Sequence, residues 1–274
     1  MDYFADLITT TVILLVLHGA VFGILAVAVK RRAVVDAAQR SRPEFVTNLW
    51  LALINSILIA PLLVAPTQSL HAFIGTSAAL QSFWEGVNGG LAVLAAIFLI
   101  DFTAYWRHRL EHEPALWRFH ATHHSDTAMH WLSVQRKHPV AKLLSVIVDT
   151  LPAVALGLPV WAIGGGLMIR GFWGYFIHAD VPWTFDRVGK VLMSPAAHRL
   201  HHIRDERLMG SNYANTFSFI DVMFGTYRDP APYRDCETGI AEGTRTIWGE
   251  LVRPWEARYR KRKAFEATER GAES

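Results

Sequence analysis

The 274-residue sequence contains one cysteine, Cys236, so it cannot form an intrachain disulfide, and we interpret Cys236 as a reduced thiol outside any metal site. Charged residues make up only 19% of the chain and hydrophobic residues 51%, which is too apolar for a typical soluble domain. The sequence also lacks a glycine-rich phosphate-binding motif. The glycine run at 164–166 lies in an apolar stretch, where we expect it to bend or pack a membrane helix. Basic residues do not alternate with aromatics as on a nucleic-acid-binding face, so no nucleic-acid partner is predicted.

Long apolar segments dominate what is present. A helix needs about 20 apolar residues to cross a bilayer, and residues 7–29, 46–65 and 90–106 meet that requirement. Residues 143–177 are apolar over a length that suits a helical hairpin, either spanning or re-entrant. We therefore predict an all-α integral membrane bundle with about four transmembrane helices and a cytoplasmic, histidine-rich catalytic cap.

The distribution of basic residues predicts the orientation of this bundle. Five Lys and Arg residues lie in 30–43, read as a loop, whereas 68–89 contains none. The positive-inside rule then places 30–43 in the cytoplasm. We predict N-terminal membrane helices over 1–89, a catalytic domain over 90–230 and a basic cytoplasmic tail over 231–274. That tail either lies near anionic lipid or is a solvated helix end. The predicted location is the bacterial inner membrane.

Eight of the thirteen histidines form three tight clusters with the spacings H-x-x-x-H, H-x-x-H-H and H-x-x-H-H. Residues three or four apart share one face of a helix, so each cluster can direct two or three imidazoles towards one point. Neutral imidazole is a common ligand of transition metals, and eight of them exceed the needs of one tetrahedral ion. The clusters predict two metal ions. Their members are His108 and His112, then His120, His123 and His124, then His198, His201 and His202.

The helix that carries the first cluster also carries a stripe of polar residues. Asp101, Tyr105, His108 and His112 are spaced by four, three and four residues. An ionised carboxylate in apolar sequence is costly unless it is paired, and metal-bound histidines often donate their outer N–H to a carboxylate. We predict that Asp101 and Tyr105 support the ligand histidines from behind. A lone Asp101, neutralised by a proton or an arginine, is the alternative.

Two kinds of chemistry fit these histidines. Residues 108–112 match H-x-x-E-H, a zinc-hydrolase pattern in which Glu111 would be the general base, but that pattern leaves six clustered histidines without a role. Iron with O2 can oxidise an unactivated C–H bond, and such bonds are abundant in lipid tails beside a membrane-surface site. The spacing of the histidines does not separate iron from zinc.

The series of histidine motifs resembles the fatty acid hydroxylase / sterol desaturase superfamily of membrane di-iron enzymes. The matching stretches are DFTAYWRHRLEH (101–112), WRFHATHH (117–124), FIHAD (176–180), and SPAAHRLHHIRD with NYANTFSFIDVMFGTY (194–227). The resemblance implies that His178 joins the eight clustered histidines as a ninth ligand, and that Asp221 supports the last cluster. Two departures are Ile220, where the family often has Trp, and His138-Pro139, which lacks the glutamate that often follows.

The resemblance further implies two iron ions, O2 as co-substrate and a membrane lipid that is hydroxylated or desaturated. No protein nucleophile is required beyond the metal centre. No cytochrome b5-like haem-binding segment occurs in the sequence, so we expect a separate electron donor, either cytochrome b5-like or a ferredoxin with its reductase. A membrane zinc hydrolase, a metal transporter and a non-catalytic scaffold are the alternative classes.

Overall fold

A computed structural model describes residues 2–59, 61 and 77–260, and in that part of the chain the predicted all-α architecture is confirmed. No strand occurs among these residues, and one isolated antiparallel bridge joins Ile203 to Thr238. Eleven α-helices are described: α1 (Asp2–Lys30), α2 (Val34–Ile54), α3 (Ala78–Glu85), α4 (Gly89–Glu111), α5 (Pro114–His124), α6 (Pro139–Ala155), α7 (Val160–His178), α8 (Pro195–His201), α9 (Ser218–Met223), α10 (Ile247–Val252) and α11 (Ala257–Arg260).

The N-terminal segment differs from the prediction. Residues 30–43 are not a loop, because a 3-10 turn at Arg31–Ala33 leads directly into α2. The run VVDAAQR at 34–40 consists largely of residues that helices accept, without glycine or proline, so the chain has no reason to leave the helix there. The predicted second span at 46–65 begins inside α2 and continues through a π-helical turn at Asn55–Ile59. Residues 60 and 62–65 lie outside the described residues, as do 68–76 of the segment without basic residues and 261–274 of the tail.

Two helical stretches among the described residues are long and apolar enough to cross a membrane, Phe4–Ile59 and Gly89–Glu111. The predicted count of four spans is therefore not reproduced. Large apolar side chains of α1 point away from the protein, with Val16 64% and Ile24 72% exposed. A row of such side chains is unfavourable in water and favourable in lipid, which agrees with a membrane protein.

Helix α4 lies at the centre of the described fold and packs along both α6 and α7. The latter two helices cover the segment 143–177, where a hairpin was expected, but each packs mainly on α4 and not along the other. At Gly166 of α7, an added Cβ would lie 3.0 Å from Cβ of Ala96 and 3.2 Å from the backbone nitrogen of Ile97 in α4. This glycine therefore allows the two helix backbones to approach closely, as expected for a packing glycine.

Prolines mark the beginnings of the two short helices that carry the later histidine clusters. Pro114 opens α5 and Pro195 opens α8, as the sequence predicted, because proline at the first helical position loses no intrahelical hydrogen bond. Ser194 caps α8 by accepting a hydrogen bond from the backbone N–H of Ala197 at 3.1 Å. The clusters are thus held on helices with defined first residues.

Candidate metal centre

The structure brings the nine predicted ligand histidines together in two neighbouring groups. Within each group, one candidate ligand atom per residue lies within 4.8 Å of the others. All nine side chains are buried except that of His108, which is half-buried. Group 1 contains His108, His112, His120, His124 and His201, and group 2 contains His123, His178, His198 and His202.

Each H-x-x-H-H cluster is divided between the two groups in the same way. His120 and His124, four residues apart, belong to group 1, while His123 belongs to group 2. In the last cluster, His198 and His202 belong to group 2, and His201 belongs to group 1. Of the two or three imidazoles that each cluster can direct towards one point, the i,i+4 pair shares a group and the third histidine belongs to the other group. Two such clusters, facing each other, contribute to both groups.

Short distances between Nε2 atoms define each group. In group 1, Nε2 of His120 lies 3.1 Å from Nε2 of both His108 and His124. In group 2, Nε2 of His198 lies 3.1 Å from that of His178 and 3.2 Å from that of His202. Two nitrogens bound to one ion at about 2.1 Å, with angles of roughly 90° to 110°, are separated by about 3.0 to 3.4 Å. The observed spacing is that of co-ligands.

Backbone carbonyl groups orient four of these rings. In each ring Nδ1 is the donor. His108 donates to the carbonyl of Tyr213, His178 to that of Gly174 and His201 to that of Ser211, each at 2.7 Å. His123 donates to the carbonyl of Arg136 at 3.2 Å. A carbonyl oxygen can only accept, so Nδ1 carries the proton and Nε2 keeps its lone pair. In all four rings, the atom that can bind a metal is the one turned into the group.

The environment of these nitrogens fits a bound cation. Nε2 of His201 is buried and has no hydrogen-bond partner among the described residues. Burial lowers the pKa of His201 to about 3, and burial likewise holds the pKa of His198 and His202 well below the ordinary value. Neutral imidazoles with converging lone pairs repel one another unless a cation lies between them. The donor set therefore fits transition-metal ions, one for each group.

Glu111 is the carboxylate that directly contacts a candidate ligand. Its Oε2 lies 3.2 Å from Nδ1 of His120 and 2.6 Å from Nη1 of Arg107. Arg107 also donates to Asp149, from Nε to Oδ1 at 2.6 Å. The sequence singled out Glu111 only as the general base of a zinc hydrolase and missed this supporting contact. The sequence signal that could have indicated this contact is the position of Glu111, directly before His112 on the helix that carries the first cluster.

Asp101 and Asp221 support the histidines through a loop rather than by direct contact. Asp101 accepts hydrogen bonds from the backbone N–H groups of Thr216 at 3.0 Å and Phe217 at 2.8 Å, and from Nε of Arg170 at 3.0 Å. Asp221 accepts from the backbone N–H groups of Tyr213 and Ala214. This loop supplies the carbonyl of Tyr213 to His108. The role proposed for both carboxylates is to hold that acceptor in place.

Tyr105 reaches the same loop from α4. Its hydroxyl group lies 3.0 Å from Oγ1 of Thr226, which donates to Oδ1 of Asp221 at 2.7 Å. Its ring packs against Tyr213 with a centroid distance of 6.1 Å. Tyr105 therefore stabilises the segment behind the histidines, and any effect on a metal would pass through that segment.

His138 has a local structural role. Its Nδ1 accepts a hydrogen bond from the backbone N–H of Val140, which caps α6, and its Nε2 donates to the carbonyl of Leu251. Neighbouring Arg136, whose carbonyl orients His123, is fully buried and bonds to Glu44 and Glu250. Sequence reasoning missed Arg136, because no local pattern brings its two distant glutamates together.

The candidate site lies inside a segment that is similar to known proteins. Residues 93–226, which contain every candidate ligand, match the sequence model of the family named fatty acid hydroxylase. Residues 93–226 are thus identified as a fatty acid hydroxylase domain. An ornithine lipid hydroxylase of Rhizobium tropici is 28% identical to this fatty acid hydroxylase homologue over 173 residues, which are 62% of the chain and 52% of that protein.

Two further relatives carry related names. Human alkylglycerol monooxygenase is 30% identical over 134 residues, 48% of this chain and 30% of that protein. A delta(7)-sterol 5(6)-desaturase of Gibberella zeae is 24% identical over 250 residues, 83% of this chain and 71% of that protein. The chain thus spans about half of the ornithine lipid hydroxylase and less than a third of the alkylglycerol monooxygenase. No solved structure matches significantly.

Proposed function

We propose that this protein is an O2-dependent di-iron oxidoreductase that hydroxylates, or desaturates, a C–H bond of a membrane lipid. The observation that carries the proposal is the presence of two adjacent groups of buried histidines, five in one and four in the other. A tetrahedral zinc site needs no more than four protein ligands, whereas iron accepts more nitrogen donors. The larger group therefore favours iron.

A small cavity borders both groups and is where a substrate carbon would lie. It has a volume of about 50 Å³ and is lined by His108 and His120 from group 1 and by His178 and His198 from group 2. The rest of its wall is mixed: Ala104, Val134 and Ala214 are apolar, and charged residues line it as well, namely Arg107, Glu111, Lys137 and Arg170. A space of this size admits a few water-sized molecules or a short piece of a methylene chain. Its walls would keep bulk water from the reacting carbon.

The chain's own residues would act by holding and orienting. Two bound iron ions would supply the activation of O2 and the oxidising power for the C–H bond. The Nδ1–H donors of His108, His178 and His201 fix their rings, so the Nε2 geometry is set before any metal binds. Glu111 would increase the basicity of His120 through their hydrogen bond. No side chain is required as a nucleophile.

Contacts at the end of α1 support a cytoplasmic position for the centre. Nζ of Lys30 lies 2.6 Å from Oδ2 of Asp180, two residues after His178. The basic segment that follows α1 is therefore on the same side of the protein as the histidines. By the positive-inside rule, that side would face the cytoplasm. Location in a bacterial inner membrane and the domain limits at 89 and 230 stay predictions.

The substrate class and partners follow from the relatives and the apolar setting. Ornithine lipid hydroxylase, alkylglycerol monooxygenase and sterol desaturase are all named for reactions on lipids. A lipid substrate could reach a site at the membrane surface without leaving the bilayer. Electrons would come from a separate protein, cytochrome b5-like or a ferredoxin with its reductase. The zinc-hydrolase alternative is disfavoured, because Glu111 is already engaged by Arg107 and His120.

The test is oxidation by the purified full-length protein, loaded with iron and placed in bilayers of total lipid extract with a chemical reductant. Under labelled O2, we expect oxygen consumption and a lipid product that either contains the label or lacks two hydrogen atoms. Protein loaded with zinc and the His201→Ala variant are the controls and should give no product. Lipid cleavage in the absence of O2 would instead support the hydrolase.

A further inference from the structure

A second cavity is larger than the histidine cavity. It is a groove of about 700 Å³ between the end of α1, the beginning of α2 and the segments 127–131 and 179–181. Its volume is within the range of ligand pockets, roughly 300 to 1,000 Å³. The residues that line it are not among those that line the histidine cavity. We call it the α1–α2 groove.

The floor of the α1–α2 groove is apolar. Phe22 and Val181 are buried at 3% and 2% exposure, and Phe22 stacks on Trp131 with a centroid distance of 6.0 Å. Phe45 lies beside Trp131 on the α2 side, at 6.3 Å. Gly23 leaves additional room, because a Cβ built there would have no atom within 4 Å. Such a surface fits a hydrocarbon chain.

The rim of the groove is basic. Lys30, Arg40, Arg42 and Arg199 line it with one acidic residue, Asp180. Lys30 and Arg199 both bond to that carboxylate. Arg40 and Arg42 are exposed and form no ion pair with any residue that the structure describes. The groove therefore has an excess of three positive charges, two of them on side chains free to bind an anion.

The depth of the groove in the membrane gives the second argument. After Asp6, helix α1 has no charged residue before it ends at Lys30, where the basic rim begins. The end of a membrane-spanning apolar helix lies at the level of the lipid headgroups. Basic side chains at that level attract anionic headgroups with roughly 1 kcal/mol each. The apolar floor therefore lies at the depth of the acyl chains of a phospholipid, and the basic rim lies at the depth of its phosphate group.

We propose that the α1–α2 groove binds one anionic phospholipid, with its phosphate group at Arg40 and Arg42 and an acyl chain on the floor beside Phe22. This lipid is a bound partner of the fold and not the molecule that is oxidised, because the groove and the histidine cavity have no lining residue in common. Its occupation holds α1 and α2 against the segments that follow His124 and His178.

The test is lipid binding by the full-length protein in neutral detergent, counted by native mass spectrometry. Phosphatidylglycerol and phosphatidylcholine with identical acyl chains are the probes. We expect the protein to retain one phosphatidylglycerol at about tenfold lower lipid concentration than phosphatidylcholine. The double variant Arg40→Gln/Arg42→Gln should lose this preference. The matched control Arg187→Gln/Lys190→Gln, which removes two exposed charges outside the groove, should keep it.

A second pair of variants tests the floor. Gly23→Leu should fill the groove and reduce retention of both lipids several-fold, whereas Gly171→Leu, at an equally open helical glycine of α7, should not. Metal content should be unchanged in all these variants, which separates this proposal from the proposed oxidase function. Equal binding of the two lipids, equal effects of the two double variants, or a Gly23→Leu effect on dimer formation in place of lipid retention would overturn it.

Discussion

Glu111 accepts a hydrogen bond from Nδ1 of His120 at 3.2 Å with the same carboxylate oxygen that pairs with Arg107. The carboxylate therefore links a candidate metal ligand to a buried cation. Outer partners of this kind commonly change metal affinity by about 10- to 100-fold. The arrangement connects the helix end that carries the first histidine cluster to the helix that carries the second.

Replacing Glu111 by Gln should weaken metal binding by about tenfold, because the amide keeps an acceptor oxygen but not the charge that polarises His120. Metal affinity is measured by competition with a chelator. Glu113→Gln is the matched control, since that glutamate is exposed and makes no side-chain cap to α5. Equal affinities for Glu111→Gln and the unaltered protein would contradict the proposed role.

His201 and His202 are adjacent in sequence and belong to different groups, so their alanine variants should affect different metal ions. We expect each variant to lose about one of two bound ions and to abolish lipid oxidation, because both ions are needed for the proposed reaction. Elemental analysis of the purified variants provides the metal count. A full complement of metal with retained turnover in either variant would argue strongly against the assignment.

The buried histidines should make the metal-free protein sensitive to acid. Burial lowers the pKa of His201 to about 3 from an ordinary value of 6.5, so the unfolded chain binds a proton in a range where the folded protein does not. Above pH 6.5, His201 is neutral in both states and does not reduce the stability of the fold. As the pH falls from 6.5 towards 3, the unfolded chain gains a proton that the folded protein does not bind, and stability is lost. Thermal unfolding at about pH 7 and about pH 5 measures the effect. The drop should be smaller in His201→Gln, and an identical drop would refute the assignment to this residue.

Asp101→Asn should destabilise the fold by about 3 kcal/mol, because it leaves Arg170 without its buried carboxylate and removes an acceptor from the loop at 215–217. Unfolding in mild detergent gives the change in stability. The control is Asp229→Asn, at an exposed carboxylate that accepts one hydrogen bond from the backbone N–H of Ala231. If the two variants unfold alike, the loop does not depend on Asp101.

The crossing of α4 and α7 provides a test of packing. Gly166→Leu should cost about 1 to 3 kcal/mol, because its side chain would collide with Ala96 and with the α4 backbone. Gly164→Leu, two residues away, adds the same side chain where no atom lies within 4 Å and should be nearly neutral. Comparable melting temperatures for the two variants would show that the close approach is unimportant.

Helix positions were predictable from the sequence where they depend on interactions between residues close together in the chain. Pro114 and Pro195 opened helices as expected, since proline at a first helical position needs no partner. Apolar segments indicated α1 and α4, and also α6 and α7 despite Pro152, Pro159 and the glycines at 164–166. The prediction failed at 30–43, where charge was taken as the sign of a loop although the residues are compatible with a helix.

The candidate site was likewise predictable from the sequence in part. The sequence by itself determined that eight histidines form three tight clusters and that pairs four residues apart, such as His108 and His112, share one face of a helix. Only the tertiary structure decided which nitrogens share a centre. His123 and His124 differ by about 100° around α5, so each meets a different set of partners from α4, α7 and α8. The angles between helices set that choice, and those angles depend on packing among residues far apart in the chain.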